Sequence, residues 1–439
     1  MDCGLYQERH FSGRNWAPFP VTPQTIDAVL LTHAHLDHCG LLPKLVHEGF
    51  GGKVYCTAAT AELSRLFLMD FAHVQEHEAE FRHETHECDP VRRPYPEVPL
   101  YTTSQVKNCF PLFSPVRYEN SIALRDGIEA TFYDAGHVLG SAIIKFEVKQ
   151  GGEHRTLLFS GDIGRWGSPI LRDPTLLHEA DYVVVESTYG DRLHEEQKNV
   201  EDMLADVINS TRKAGGNIVI PSFALERSQE ILYRLNKLRL EGRIPYLMVY
   251  LDSPMATNVT EVFKHHLDLV DEETSELLRQ GKSPFDFPGL RIVRTIEESM
   301  VIDHTGDTAI IIAGSGMCTG GRIRHHLASN ISRSESAILF VAYQAIGTLG
   351  RQIVEGSKQV GILGQMRAVL ARIIHMNGLS GHADRGELFR WLSGLEKSPL
   401  HLFITHGELE VACHFAQFLR ERTHWEISVP KYQDEVILN

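Results

Sequence analysis

Short apolar, β-branched runs recur along the chain and alternate with stretches of helical spacing. The runs read as strands over Ile26–Leu31, Ala130–Tyr133, Thr156–Phe159, Tyr182–Val185, Asn217–Ile220, Tyr246–Leu251, Ala309–Ile312, Ala337–Val341, Ala368–Ile374 and Leu400–Ile404. One helical stretch runs from about Leu225 to Leu240, with Ile231, Leu235 and Leu238 on one face, and another from roughly Ala59 to Glu80. Strands alternating with helices predict an α/β architecture. The section from Arg192 to Val369 carries its own strand–helix units, and the ligand-type residues fall outside it. The pattern therefore predicts one domain inserted into another. Residues 1–191 and 370–439 form the host and residues 192–369 the guest, an arrangement tolerated because domain termini often lie close together.

Composition narrows the class. A chain of 439 residues fits one very large domain or two ordinary ones. It contains no run of about 18 apolar residues and no charged-then-apolar leader, so the expectation is a cytoplasmic protein with no membrane partner. The seven cysteines are scattered and form no CxxC pair, which argues against a disulfide framework and a thiolate zinc knuckle. Any metal is then held by nitrogen and oxygen. A net charge of −14 lacks the basic footprint of most nucleic-acid binders, although bound divalent cations add local positive charge that this count omits. The 24 histidines matter more, and the question is which of them sit at strand ends.

THAHLDHCG, Thr32 to Gly40, follows directly on an apolar run. His33 and His35 are two apart at a strand end and point to the same side. Asp37 and His38 follow as the chain turns, most simply into a helix starting near Gly40. One short segment can thus feed two adjacent metals, His33 and His35 to one and Asp37 and His38 to the other. Imidazole and carboxylate suit Zn²⁺ or a similar ion. Solvated loop histidines would explain one such residue, but hardly this spacing after a strand. Two metals need more ligands, and other strand ends supply them. DAGHVLGS places His137 after one strand, LLFSGDIG places Asp162, a carboxylate able to bridge, after another, and FITHGE places His406 after a third.

HAHLDH, the His of AGHVLGS, the Asp of SGD and the later His resemble the metallo-β-lactamase superfamily. ESTYGDR (Glu186–Arg192), SGHAD (Ser380–Asp384) and THGE (Thr405–Glu408) are similar to the three extra motifs of its β-CASP branch. LDSPMA, AGSGMCTGGRIRHHL and FVAYQAIGTLGR resemble the group containing the pre-mRNA 3′-end cleavage endonuclease subunit and its prokaryotic relatives. The resemblance implies an αββα sandwich with an inserted Rossmann-like α/β β-CASP domain. It also implies two zinc ions, held by His33, His35 and His137 and by Asp37, His38 and His406, with Asp162 bridging. A shared water would attack a phosphodiester, and His382, hydrogen-bonded to Glu186, would be the general acid. Ser380 would contact phosphate and Asp2 would orient a ligand histidine. The substrate implied is single-stranded RNA, and a homodimer is a family expectation. In the family, strands precede the residue matching Asp2, so the expected fold lacks its first strands.

Plainer roles compete. Glu186 could cap the following helix, and His382 could be an ordinary loop histidine. Gly314–Gly321 could cradle phosphate or form a structural turn. Arg322, Arg324, His325 and His326 could face RNA or line a solvated helix face. The histidines of His73–Asp89 follow no strand and sit in a polar helical segment, so they are excluded as a metal site, and the cysteines read as small buried apolar residues. Three other functions stand against the ribonuclease. They are a small-molecule metallohydrolase of lactamase or thioesterase type, a DNA-acting β-CASP nuclease and a catalytically silent RNA-binding subunit.

Overall fold

The computed structural model describes residues 1–8, 10–85, 98–194, 198–302, 306–345 and 347–438. Its chain divides into two compact units, one of residues 1–166, 173–192 and 382–439, the other of residues 167–172 and 193–381. The first run of chain lays down β1 (Ala28–Leu30), β2 (Lys53–Thr57), β3 (Phe113–Val116), β4 (Ser121–Arg125), β5 (Ile128–Asp134), β6 (Ala142–Gln150), β7 (Glu153–Phe159) and β8 (Tyr182–Val185). The second unit holds β9 (Ile218–Pro221), β10 (Met248–Asp252), β11 (Leu290–Ile292), β12 (Ala309–Ala313), β13 (Ala337–Phe340), β14 (Gln359–Ile362), β15 (Gln365–Ala368) and β16 (Arg372–His375). The chain then returns with β17 (His401–Ile404) and β18 (Ile427–Ser428).

In the first unit, β1, β2 and β3 form a parallel sheet, and seven strands form a second in the order β18-β17-β8-β7-β6-β5-β4. Alternation along the strands decides the layers. Ala130, Phe132, Ala142 and Ile144 face Leu30 of the smaller sheet. Ile143, Leu158, Val183, Val185, Leu402 and Ile404 point the other way, onto Leu388, Trp391, Phe415 and Leu419 of the helices Arg385–Leu392 and Leu409–Arg420. Leu42, Leu45, Leu68, Ala72 and Val106 of three further helices cover the outer face of the small sheet. The layering is therefore helix, sheet, sheet, helix.

The second unit is a parallel sheet ordered β11-β10-β12-β9-β13-β16, with β14 and β15 as a separate antiparallel hairpin. Strands β9, β12 and β13 are buried at every position, as expected where both faces of a parallel sheet are covered.

Several expectations shift. The strand read over Ala368–Ile374 is interrupted, because Leu370 is exposed and β16 starts only at Arg372. β16 pairs in parallel with β13, so residues past 369 still belong to the second unit's sheet and the host resumes at His382. The second unit also takes in 167–172, where Ile170 and Asp271 exchange backbone and side-chain hydrogen bonds at 2.7 and 3.0 Å. The long helix spans Ala58–Thr85, and the rest of the His73–Asp89 stretch lies outside the described residues. Among the described residues no helix is long and apolar enough to cross a membrane.

Candidate metal centre

The centre is built where four strands of the first unit end. After β1 the chain stays extended through His35 and then turns into a one-turn helix, Leu36–Cys39. The helix starts before Gly40, so Asp37 and His38 sit in its first turn. His137 lies in the loop after β5, where Ser141 Oγ accepts from the backbone N–H of His137 at 3.1 Å and of Val138 at 3.2 Å. Asp162 follows β7, and Gly161 before it adopts φ +55°, a conformation that favours glycine, at a place where an added Cβ would meet Thr32 at 2.9 Å. His406 follows β17 and has a positive φ of 48°, uncommon for a non-glycine residue and the kind of strain that gathers at functional sites.

Three sets of ligand atoms come within 4.8 Å of one another: His33, His35, His137 and Asp162; Asp37, His38 and His406; and Asp162, Glu186 and His382. Asp162 joins them. Its Oδ2 lies 3.4 Å from His33 Nε2 and 3.6 Å from His137 Nε2. Its Oδ1 lies 3.4 Å from both His38 Nε2 and His406 Nδ1. Each oxygen of one carboxylate thus faces a separate group.

These residues fit a pair of divalent cations. His33 Nε2 and His35 Nδ1 lie 3.0 Å apart, and His38 Nε2 and His406 Nε2 3.1 Å apart, so ring nitrogens gather around two small volumes. Asp162 Oδ1 is buried and accepts no hydrogen bond. A buried, unbonded carboxylate oxygen is costly unless a charge meets it. The electrostatics agree. Burial lowers His33 far below the ordinary imidazole value and lowers His35 to about 4, so both rings are neutral, the form able to ligate a cation. Burial also works against charge on His38 and His406, yet Asp162 with Asp2 raises His38, and Asp162 with Asp37 raises His406 to about 9. Burial would raise Asp162, but His406, His38 and His33 outweigh it and hold the carboxyl well below its usual range. The carboxylates demand positive charge here, and protons on two histidines are one way to supply it.

A polar collar orients the ligands. His38 Nδ1 lies 2.8 Å from Asp2 Oδ2, while Thr32 donates to Asp2 from its backbone N–H at 2.7 Å and its hydroxyl at 2.9 Å. With Nδ1 bonded to a carboxylate, His38 presents Nε2 to the centre. Glu186 is buried, and its Oε1 accepts from Ile163 N–H at 2.7 Å and lies 3.3 Å from His382 Nδ1. Burial lowers the imidazole of His382, but the neighbouring Glu186 carboxylate outweighs it and raises the group above its ordinary value.

The structure therefore brings together all the expected ligands, with His382, Glu186 and Asp2. Ser380 falls in the second unit, half-buried beyond the turn Asn377–Leu379. Arg322 and His326 of the basic patch do not face solvent freely. Both bond the buried Asp252, at 2.5 and 2.7 Å, and His326 is itself fully buried. Sequence reasoning missed Thr32 and Thr188, whose hydroxyls reach His33 at 3.1 Å and His406 at 3.4 Å. Both lie inside the quoted motifs, and their place beside the ligand residues was the available signal.

Three family matches cover these parts. Residues 1–160 match the metallo-beta-lactamase superfamily domain, 228–353 the Beta-Casp domain and 367–430 a Zn-dependent metallo-hydrolase RNA specificity domain. The chain is 37% identical over 437 residues to Ribonuclease TTHA0252 of Thermus thermophilus, covering 99% of this chain and 93% of that one. It is 30% identical over 450 residues to Transcription termination factor FttA of Methanocaldococcus jannaschii, covering 99% of this chain and 67% of the factor. The same factor of Methanosarcina mazei is 31% identical over 428 residues, with 94% and 63% covered.

Proposed function

We propose that this chain, which belongs to the β-CASP ribonuclease branch of the metallo-β-lactamase superfamily and is a metal-dependent hydrolase, cleaves phosphodiester bonds of single-stranded RNA with two zinc ions. The observation that carries the two-metal reading is Asp162, whose oxygens each face one of two separate ligand groups. His33, His35 and His137 would hold one ion, Asp37, His38 and His406 the other, and Asp162 would bridge. When bound, such a pair lowers the pKa of a water toward neutrality and offsets charge on the phosphate oxygens.

The chain's own groups do the rest. A water oxygen adds to phosphorus, the bond to the leaving ribose oxygen breaks, and that oxygen needs a proton. His382 would supply it. Glu186 faces its Nδ1 and favours the protonated ring, so the proton is delivered from Nε2. Glu186 is held in turn by the N–H groups of Ile163 and Thr188, at 2.7 and 3.2 Å. Asp2 fixes the tautomer of His38. Ser380 is assigned to the substrate phosphate on motif alone. RNA is favoured over DNA and over small molecules by the RNA specificity match at 367–430 and by a relative named as a ribonuclease. The six described cysteines are unbridged, which suits the reducing cytoplasm.

The test uses single-stranded RNA labelled at either end, with and without chelator, beside a chromogenic β-lactam. Cleavage of RNA only, its loss with chelator, and its loss in His382→Ala at unchanged zinc content are expected. Hydrolysis of the β-lactam with RNA left intact would overturn the reading, and full activity in His382→Ala would remove the acid.

A further inference from the structure

The second unit presents two aromatic rings at one edge of its parallel sheet. Phe223 follows the C-terminal end of β9 and is 38% exposed; Tyr343 follows that of the neighbouring β13 and is 43% exposed. Ligands of open parallel sheets gather at this edge. The aliphatic side chains close by in sequence, Leu225 beside Phe223 and Val341 beside Tyr343, are buried, so the exposure here is aromatic.

Both rings sit on a braced backbone. Phe223 lies flat on Gly316, where an added Cβ would meet the ring at 2.8 Å. The Phe223 carbonyl accepts from the hydroxyls of Ser228 at 2.7 Å and Ser222 at 3.2 Å. The buried Gln344 amide reaches the carbonyls of Gly316, Ala342 and Tyr343 at 2.9, 3.0 and 3.1 Å. One side chain thus ties the glycine beneath Phe223 to the backbone of Tyr343. Part-exposed aromatic rings on a braced backbone suit stacking against flat partners better than they suit loose hydrophobic docking. Every base offers such a face. The net charge of −14 sharpens the choice, because a chain this acidic gains little from backbone electrostatics and needs an uncharged source of affinity for a polyanion.

We propose that Phe223 and Tyr343 form a stacking platform for bases of single-stranded RNA, a reading that rests on the proposed ribonuclease function and names where the second unit grips its substrate. Aromatic-to-alanine changes at such platforms weaken binding by about five- to 150-fold per base.

The experiment measures anisotropy and 2-aminopurine quenching with the metal-loaded full chain and a short single-stranded RNA analogue whose phosphorothioate linkages resist hydrolysis. Phe223→Ala, Phe223→Leu and Tyr343→Ala should each lose affinity within that range and relieve quenching, at unchanged melting temperature. Phe223→Tyr and Tyr343→Phe should bind as the parent does. Phe223→Leu keeps apolar packing on Gly316 without a π face, so it separates stacking from folding. Parental affinity in all three disruptive variants, or no binding by the parent, overturns the platform. A parent that cleaves RNA while those variants bind unchanged sinks the platform alone. A parent that binds through the rings but leaves RNA intact sinks only the ribonuclease reading.

Discussion

Asp2→Asn keeps the size of the side chain and removes its charge, and it should weaken one of two metal equivalents while sparing the other. Asp2 accepts from three groups, the Thr32 N–H, the Thr32 hydroxyl and His38 Nδ1, at 2.7, 2.9 and 2.8 Å. An asparagine carbonyl can still take the Thr32 N–H. Its NH₂ would then face His38 Nδ1, donor against donor. To accept, the ring must move its proton to Nε2, the nitrogen that faces Asp162 Oδ1 and His406. The ligating lone pair is then capped. Loss of such an orienting partner lowers metal affinity about 10- to 100-fold. That equals about 1.4–2.8 kcal/mol, in line with about 1.5–3 kcal/mol for one hydrogen bond to a charged group. His33, His35 and His137 make no hydrogen bond to Asp2 in the structure, so a chelator-competition titration should turn from one tight phase into two. Two equivalents retained at parental affinity would refute the role of Asp2. Asp2→Ala is the poorer probe, since it also orphans Thr32 and so adds a folding penalty.

Asp162→Ala should release both equivalents, read by metal analysis, because each of its oxygens serves a different group; one ion still tightly held would exclude a bridge. Stability should also depend on Glu226, which is buried with Oε2 unbonded and which burial raises to about 8. A carboxyl raised in the folded state keeps its proton while the unfolded chain loses it, so stability falls as pH rises from the ordinary value toward 8, by at most about 1.4 kcal/mol per pH unit. Urea unfolding of Glu226→Gln should lack that component, and an unchanged pH dependence would exclude it. Glu226 also sits at φ 65°, ψ −53° with Arg227 N–H bonding the Leu225 carbonyl, a strained γ-turn. Glu226→Gly should therefore melt higher than the parent at pH 7.

The candidate centre was legible because its residues occupy strand ends in short polar bursts after apolar runs, and periodicity finds such places. His33, His137, Asp162 and His406 were each located that way, from within a few residues of sequence. What stayed hidden depends on long-range pairing. Nothing local shows that Arg372–His375 adds to β13 rather than to the host, since the four residues suit either sheet. Strand β4 alternates exposed and half-buried positions and makes no apolar run, so only its hairpin with β5 reveals it. The basic patch misled for a related reason. Arg322 and His326 look solvated along the chain, but their partner, Asp252, lies 70 and 74 residues away.

His38 and His406 touch across 368 residues of chain. At a synthesis rate of about 5–20 residues per second, roughly 20 to 70 seconds separate their appearance. His33, His35, His137 and Asp162 are made early and together, so the first of the two candidate ligand groups can assemble while translation continues. The group of Asp37, His38 and His406 is complete only once its last member has been made. A chain still being made therefore holds only part of the candidate centre, and any chemistry that needs both groups can begin only near the end of synthesis.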